Sequence, residues 1–137
     1  MPPKTIDILN NYKTYAVVGA TTNQEKYGYK VFRALIDAGY TVYPLNPNYP
    51  EIDGIQCYAD IAALPVSPDV VVSVVPPHVT LSAIDAGHAR GVQVFWMQPG
   101  AWSEETVQKC IDLGIEEVHE NCIISAVNLI NNKAASC

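Results

Sequence analysis

Residue types that hold anions cluster near the start of this chain. Gly19-Ala20-Thr21-Thr22-Asn23 follows a short apolar run, and Lys26 stands just ahead of Gly28, where an amphipathic pattern begins. Glycine allows close approach to the backbone, Thr21, Thr22 and Asn23 offer side-chain donors, and a helix start offers free N–H groups at a positive dipole end. Such a set suits phosphate. The nine positions from Gly19 to Gly28 are too many for a tight G-x-G-x-x-G turn, and that motif is absent. A capped loop with surface lysines would use the same residue types. Charge favours the anion: residues 1–50 carry five bases and three acids, a balance of +2, against three bases and eleven acids, −8, over residues 51–137. Lys26, Lys30 and Arg33 fall in one stretch of the basic part, so an anion is drawn there first. The net charge of −6 argues against nucleic acid, which needs Lys and Arg on its phosphates.

Three further segments share this chemistry: Pro44-Leu45-Asn46-Pro47, Val75-Pro76-Pro77-His78 and Gln98-Pro99-Gly100-Ala101. Proline supplies rigid walls and glycine exposes backbone donors. What matters is whether the fold brings them together. Tyr15 to Val18, Thr41 to Leu45, Asp69 to Val75, Val92 to Met97 and Glu116 to His119 read as strands. Between them, helical spacing marks Gly28 to Ala38 and about Val79 to Arg90, and a third helix follows Ser103, an N-cap with Glu104 and Glu105 in the first turn. A short helix is expected near Asp60 to Leu64, and a leading one over 5–12. This alternation predicts an α/β Rossmann-like fold, a five-stranded parallel sheet with helices on both faces, for which we expect the order 3-2-1-4-5. Each of the four segments then sits at a strand's carboxyl end, the edge where such sheets bind ligands. The 137 residues suit one domain, with a core over about 5–124 and a closing helix or tail over 125–137.

The second tip narrows the ligand. An NAD site usually places Asp or Glu there for the ribose hydroxyl; this chain has Asn46 and Pro47. A neutral tip favours a nucleotide phosphorylated on its sugar, such as NADP or coenzyme A, with Lys26, Lys30 and Arg33 as the cations. His119 and Cys122, three apart, could form a metal or nucleophile–base pair, but no further ligand or orienting group can be placed. No Cys-x-x-Cys occurs among Cys57, Cys110, Cys122 and Cys137, so reduced thiols are expected. The apolar run at Val70 to Val75 is far too short to span a membrane, and Met1 to Thr5 lacks the apolar core of a secretory signal, so a cytosolic protein is expected. No catalytic constellation stands out, which favours a binding module over an enzyme. An NADP-dependent oxidoreductase and a non-binding interaction protein on the same fold remain alternatives.

Taken in order, Val17-Val18-Gly19-Ala20-Thr21, Lys26-Tyr27-Gly28-Tyr29-Lys30-Val31, Val42-Tyr43-Pro44-Leu45-Asn46-Pro47, Val74-Val75-Pro76-Pro77 and Gln98-Pro99-Gly100-Ala101 resemble the small single-domain CoA-binding proteins. These are similar to the nucleotide-binding domain of the succinyl-CoA synthetase alpha subunit and of ADP-forming acyl-CoA synthetases. The resemblance covers about residues 5–124. It implies a Rossmann-like fold that binds coenzyme A or an acyl-CoA across the strand tips. It places the phosphates near Gly19, Ala20, Thr21 and Lys26; from its residue type, Thr22 is a further donor at this tip and Tyr27 a candidate aromatic lid. The adenosine falls by Asn46 and Pro47, against Val75, Pro76 and Pro77, and the pantetheine arm runs along Gln98, Pro99 and Gly100. Asn48 stands where the synthetases often carry a basic residue. Their phosphorylated histidine lies in later domains and matches none of His78, His88 and His119, so the ligase chemistry is not implied.

Overall fold

The computed structural model describes residues 3–132; Met1, Pro2 and the tail from 133 onward, Cys137 included, lie outside the described residues. Helix α1 (Pro3–Asn11) leads into β1 (Thr14–Val18), α2 (Tyr27–Asp37) and β2 (Thr41–Leu45). A small hairpin, β3 (Glu51–Ile52) with β4 (Ile55–Gln56), and a 3-10 turn at Ile61–Ala63 occupy the long connection to β5 (Val70–Ser73). Then come α3 (Pro77–Ala89), β6 (Val94–Met97), α4 (Glu104–Asp112), β7 (Glu116–Val118) and α5 (Ile123–Ile130). The five long-sheet strands are all parallel. The fold is therefore the expected Rossmann-like α/β architecture.

Strand alternation divides the core into two layers. Tyr15, Val17, Val70, Val72, Val94 and Trp96 pack toward α1, α2 and α5, while Ala16, Val71, Phe95 and Met97 pack toward α3, α4 and the 3-10 turn. On α2, Val31, Phe32 and Leu35 form the buried stripe that the periodicity predicts. Ser103 caps α4 reciprocally: its Oγ accepts from the Thr106 amide at 3.2 Å, and the Thr106 Oγ1 accepts from the Ser103 amide at 2.8 Å.

The strand order corrects the expectation. It is β2-β1-β5-β6-β7, so the Val70–Ser73 strand lies at the centre and not on the rim. Two physical reasons place it there. All four residues of β5 are fully buried, as an interior strand covered on both faces requires and a rim strand does not allow. Pro44, which lacks an N–H, belongs on an edge strand rather than in the interior position that 3-2-1-4-5 would give it. The Pro44 carbonyl accepts from the Tyr58 amide at 3.0 Å on the outer side, so its ring nitrogen also faces away from β1. Connections from β1 and β5 leave in opposite directions, and the crevice between their carboxyl ends is the sheet's switch point.

Candidate functional site

The loop from β1 to α2 is built around two glycines. Gly19 has φ +94°, and a Cβ there would lie 2.8 Å from side-chain atoms of both Val74 and Val75. A Cβ on Gly28 would lie 2.1 Å from the Gly19 carbonyl oxygen. The first turn of α2 thus packs directly on the tip of β1, which is why glycine is needed at both ends of a nine-position loop. Between them the chain braces itself. Thr21 Oγ1 accepts from the Asn23 amide at 3.2 Å, Asn23 Oδ1 accepts from the Glu25 amide at 3.1 Å, and the Asn23 carbonyl accepts from the Lys26 amide at 3.1 Å. Lys26 is the N-cap of α2 and makes no side-chain cap; its carbonyl accepts from the Tyr29 amide at 3.1 Å, so the Tyr27 and Gly28 amides are the first-turn donors without an intrahelical acceptor. Thr22, Lys26 and Tyr27 are exposed at this mouth.

The three expected cations separate. Arg33 is held by Asp37 at 2.5 Å and Asp53 at 3.4 Å, and Asp53 also accepts from the Tyr29 hydroxyl at 2.7 Å. Lys30 lies over the Tyr27 ring, 5.5 Å from its centroid. Lys26 makes no ion pair among the described residues and stands at the loop mouth. Its charge reaches Tyr49, whose phenol is held below its ordinary range by hydrogen bonds with Thr21 and Thr22, with Lys26 adding to them. Tyr49, 3.1 Å from Thr21 Oγ1, straps the second tip to the first, and no local sequence pattern signals it.

Beside this loop lies a cavity of about 500 Å³. Its walls are mainly apolar: Val18, Leu45, Pro47, Ile61, Val75 and Val79, floored by the small residues Ser82, Ala83 and Ala86 of α3. Gly19, Asn46, Pro47 and Val75, all expected at the site, line it together. Asn46 works as a staple, its Nδ2 donating to the Ala20 carbonyl at 2.9 Å and its Oδ1 accepting from the Asn48 amide at 2.9 Å. Pro76 is the N-cap of α3 and Pro77 its first residue, a rigid entry to that helix.

The cavity also holds an acid that the sequence reading does not place there. Asp60 lines the wall and caps the 3-10 turn, its Oδ1 accepting from the Ala63 amide at 3.0 Å. The tip of β2 is neutral as expected, but the pocket beside it is not uncharged. Arg90, from the end of α3, fixes the same wall by donating to the carbonyls of Ile61, Ala62 and Leu64, each at 3.1 Å.

Gln98, Pro99 and Gly100 stand apart from this cavity, at the tip of β6. Gln98 is buried, and its side chain organises the start of α5: Oε1 accepts from the Ile123 amide at 2.7 Å and Nε2 reaches Cys122 Sγ at 3.3 Å. Pro99 and Gly100 are exposed in the turn that follows. Cys57 and Cys110 are free and buried, whereas Cys122 is disulfide-bonded, against the expectation of reduced thiols throughout. Among the described residues no group of three or more His, Cys, Asp or Glu is placed to hold a metal ion, and no helix is long and apolar enough to cross a membrane.

The chain is similar to proteins of two sizes. It shares 35% identity over 81 residues with an ADP-forming acetate–CoA ligase of Methanocaldococcus jannaschii, covering 59% of this chain but only 12% of the ligase. With the uncharacterized protein YneT of Bacillus subtilis it shares 26% identity, covering 85% of this chain and 87% of YneT. Among solved structures, a hypothetical protein from Pyrococcus horikoshii OT3 superposes with a TM-score of 0.90 at 30% identity, covering 96% of this chain and 93% of that one. A conserved hypothetical protein from Pyrococcus furiosus is 40% identical with a TM-score of 0.79, covering 82% and 97%. The family model described as the CoA binding domain matches residues 13–128, from just before β1 into α5, and the chain belongs to that family.

Proposed function

We propose that this protein binds coenzyme A or an acyl-CoA at the β1–β5 switch point and serves as a carrier, sensor or regulatory module, without the ligase chemistry of the large relatives. The observation that carries this reading is the sharing of Gly19 between two complementary surfaces: an amide-rich loop mouth bearing Lys26, and an apolar cavity of about 500 Å³. That volume lies within the usual range for small-molecule pockets. The donor set fits the cofactor part by part. First-turn amides of α2 and Lys26 suit the phosphates. Val18, Leu45, Ile61, Val75 and Val79 suit the flat apolar base, and the exposed turn at Pro99 and Gly100 borders a path for the arm along the strand tips. Asp60 directs the charge: phosphates belong on the Lys26 side, away from the carboxylate in the cavity.

Calorimetry with coenzyme A and its dephospho form tests this. The full cofactor is expected to bind about tenfold more tightly, a difference of ~1.4 kcal/mol of the size of one charge-assisted contact, and the advantage shrinks with added salt. Equal affinities would remove the sugar-phosphate contact, and no binding below millimolar would overturn the function.

A further inference from the structure

We propose that His119, held by Glu117, accepts the proton of a thiol delivered to the β7 end of the carboxyl edge, so that a bound cofactor is carried as its thiolate; this rests on the coenzyme A reading above. Glu117 and His119 lie two apart at the end of β7 and meet side chain to side chain, with Nδ1 2.6 Å from Oε2. The carboxylate is largely covered, at 15% exposure, while the imidazole keeps 30%. A carboxylate on Nδ1 takes the proton there and leaves Nε2 as the acceptor, the arrangement that makes histidine a general base. Trp102, from the turn after β6, lies 4.6 Å from the imidazole between ring centroids and shelters this pair.

The backbone beneath is fixed. The His119 carbonyl accepts from Asn121 Nδ2 at 2.9 Å, and the Asn121 carbonyl accepts from the buried Trp96 Nε1 at 2.8 Å. The charged and titratable groups near the imidazole come from β7, the residue after His119, α1, α4 and α5. Glu117 and exposed Glu120 are anionic, and Cys110 of α4 is a neutral buried thiol. Lys4 of α1 spends its ammonium on the Glu117 carbonyl oxygen, and Cys122 at the start of α5 is disulfide-bonded.

Reach sets the class of group that arrives. From β1 to β7 there are three strand steps, together ~14 Å at about 4.8 Å each. A pantetheine arm has about twelve bonds from phosphate to sulfur, and at the ~1.2 Å per bond of an extended chain it spans ~14 Å. With its phosphates at the Gly19 loop, such a cofactor brings its terminal thiol to His119. In the step, the S–H bond breaks, the proton goes to Nε2 and sulfur keeps the electron pair. The imidazolium is balanced by Glu117 and by the new thiolate, and no oxidant is involved.

The test uses the full chain and His119→Gln and Glu117→Gln variants. Calorimetry first gives each affinity for coenzyme A. The saturated complexes are then treated with iodoacetamide across a pH series, and alkylated coenzyme A is counted by mass, so that protein cysteines do not contribute. Wild type is expected to alkylate the cofactor about tenfold faster than free coenzyme A at neutral pH, with its profile moved to lower pH. His119→Gln keeps the affinity within about twofold but returns to the free profile, and Glu117→Gln falls between. Binding with an unshifted profile, a shift retained in His119→Gln, or protection of the thiol at every pH overturns the proposal alone. Absence of coenzyme A binding by wild type overturns the carrier reading and this step with it. Imidazole nitrogen-15 spectra give a check without cofactor: the proton is expected on Nδ1, and finding it on Nε2 refutes the assignment.

Discussion

A methyl group on residue 28 has no space, since it would sit 2.1 Å from a backbone oxygen that cannot swing aside. Gly28→Ala must push the start of α2 off the tip of β1. We expect a loss of about 1–3 kcal/mol in urea unfolding, the usual size of an overpacking penalty, together with weaker coenzyme A binding because the first-turn amides move. A variant with unchanged stability and affinity would show that the loop tolerates a gap here. At this scale the sequence is informative where residue type alone carries the role. Gly19, Gly28 and Lys26 announce a backbone approach and a cation before any fold is known. Tyr49 and Asp60 do not. Their roles arise because the chain returns, Tyr49 to Thr21 and Asp60 to the cavity wall, and nothing in their neighbours encodes that return.

Among the elements, the 3-10 turn at Ile61–Ala63 is tied to α3. Arg90 binds three of its carbonyls, at Ile61, Ala62 and Leu64. Arg90→Met keeps the length of the side chain and removes those donors. We expect about 1–3 kcal/mol less stability, from the loss of the charged hydrogen bonds that Arg90 donates, and faster amide exchange over 60–65. Coenzyme A affinity should fall as well, because this turn walls the cavity. Exchange that stays at the wild-type rate would assign the wall's order to packing alone. The five long-sheet strands and four of the helices are legible from periodicity, with ends displaced by a residue or two. The order of the strands is harder, because helical and strand spacing are local while neighbours in a sheet are not. Pro44 carries the missing information: a residue without an N–H inside a β-branched strand marks the edge and so excludes 3-2-1-4-5.

For the molecule as a whole, burial of acidic groups in their neutral form sets an alkaline limit. Desolvation, with the nearby Glu117 carboxylate adding to it, pushes the Cys110 thiol from its ordinary 9.0 up to about 12. Burial likewise raises the Tyr15 phenol. A raised folded-state value means that the unfolded chain loses its proton first. The stability is therefore fully present below about pH 9 and is lost as pH rises through about 12. Urea midpoints are expected to fall across that window, and Cys110→Ala should flatten the fall; an equally steep decline in the variant would assign it to other groups. The cavity is the part of the whole least readable in advance, since its lining comes from β1, β2, the 59–62 segment and α3 at once. The two rims of the sheet have a consequence for how copies meet. On one rim Tyr58 already hydrogen-bonds along β2 beside Pro44, and the other ends in a three-residue strand bearing Glu116 and Glu117. Neither offers a long bare ladder, so the ribbon of strands stops within one molecule, and crowding should concentrate the protein without seeding fibres.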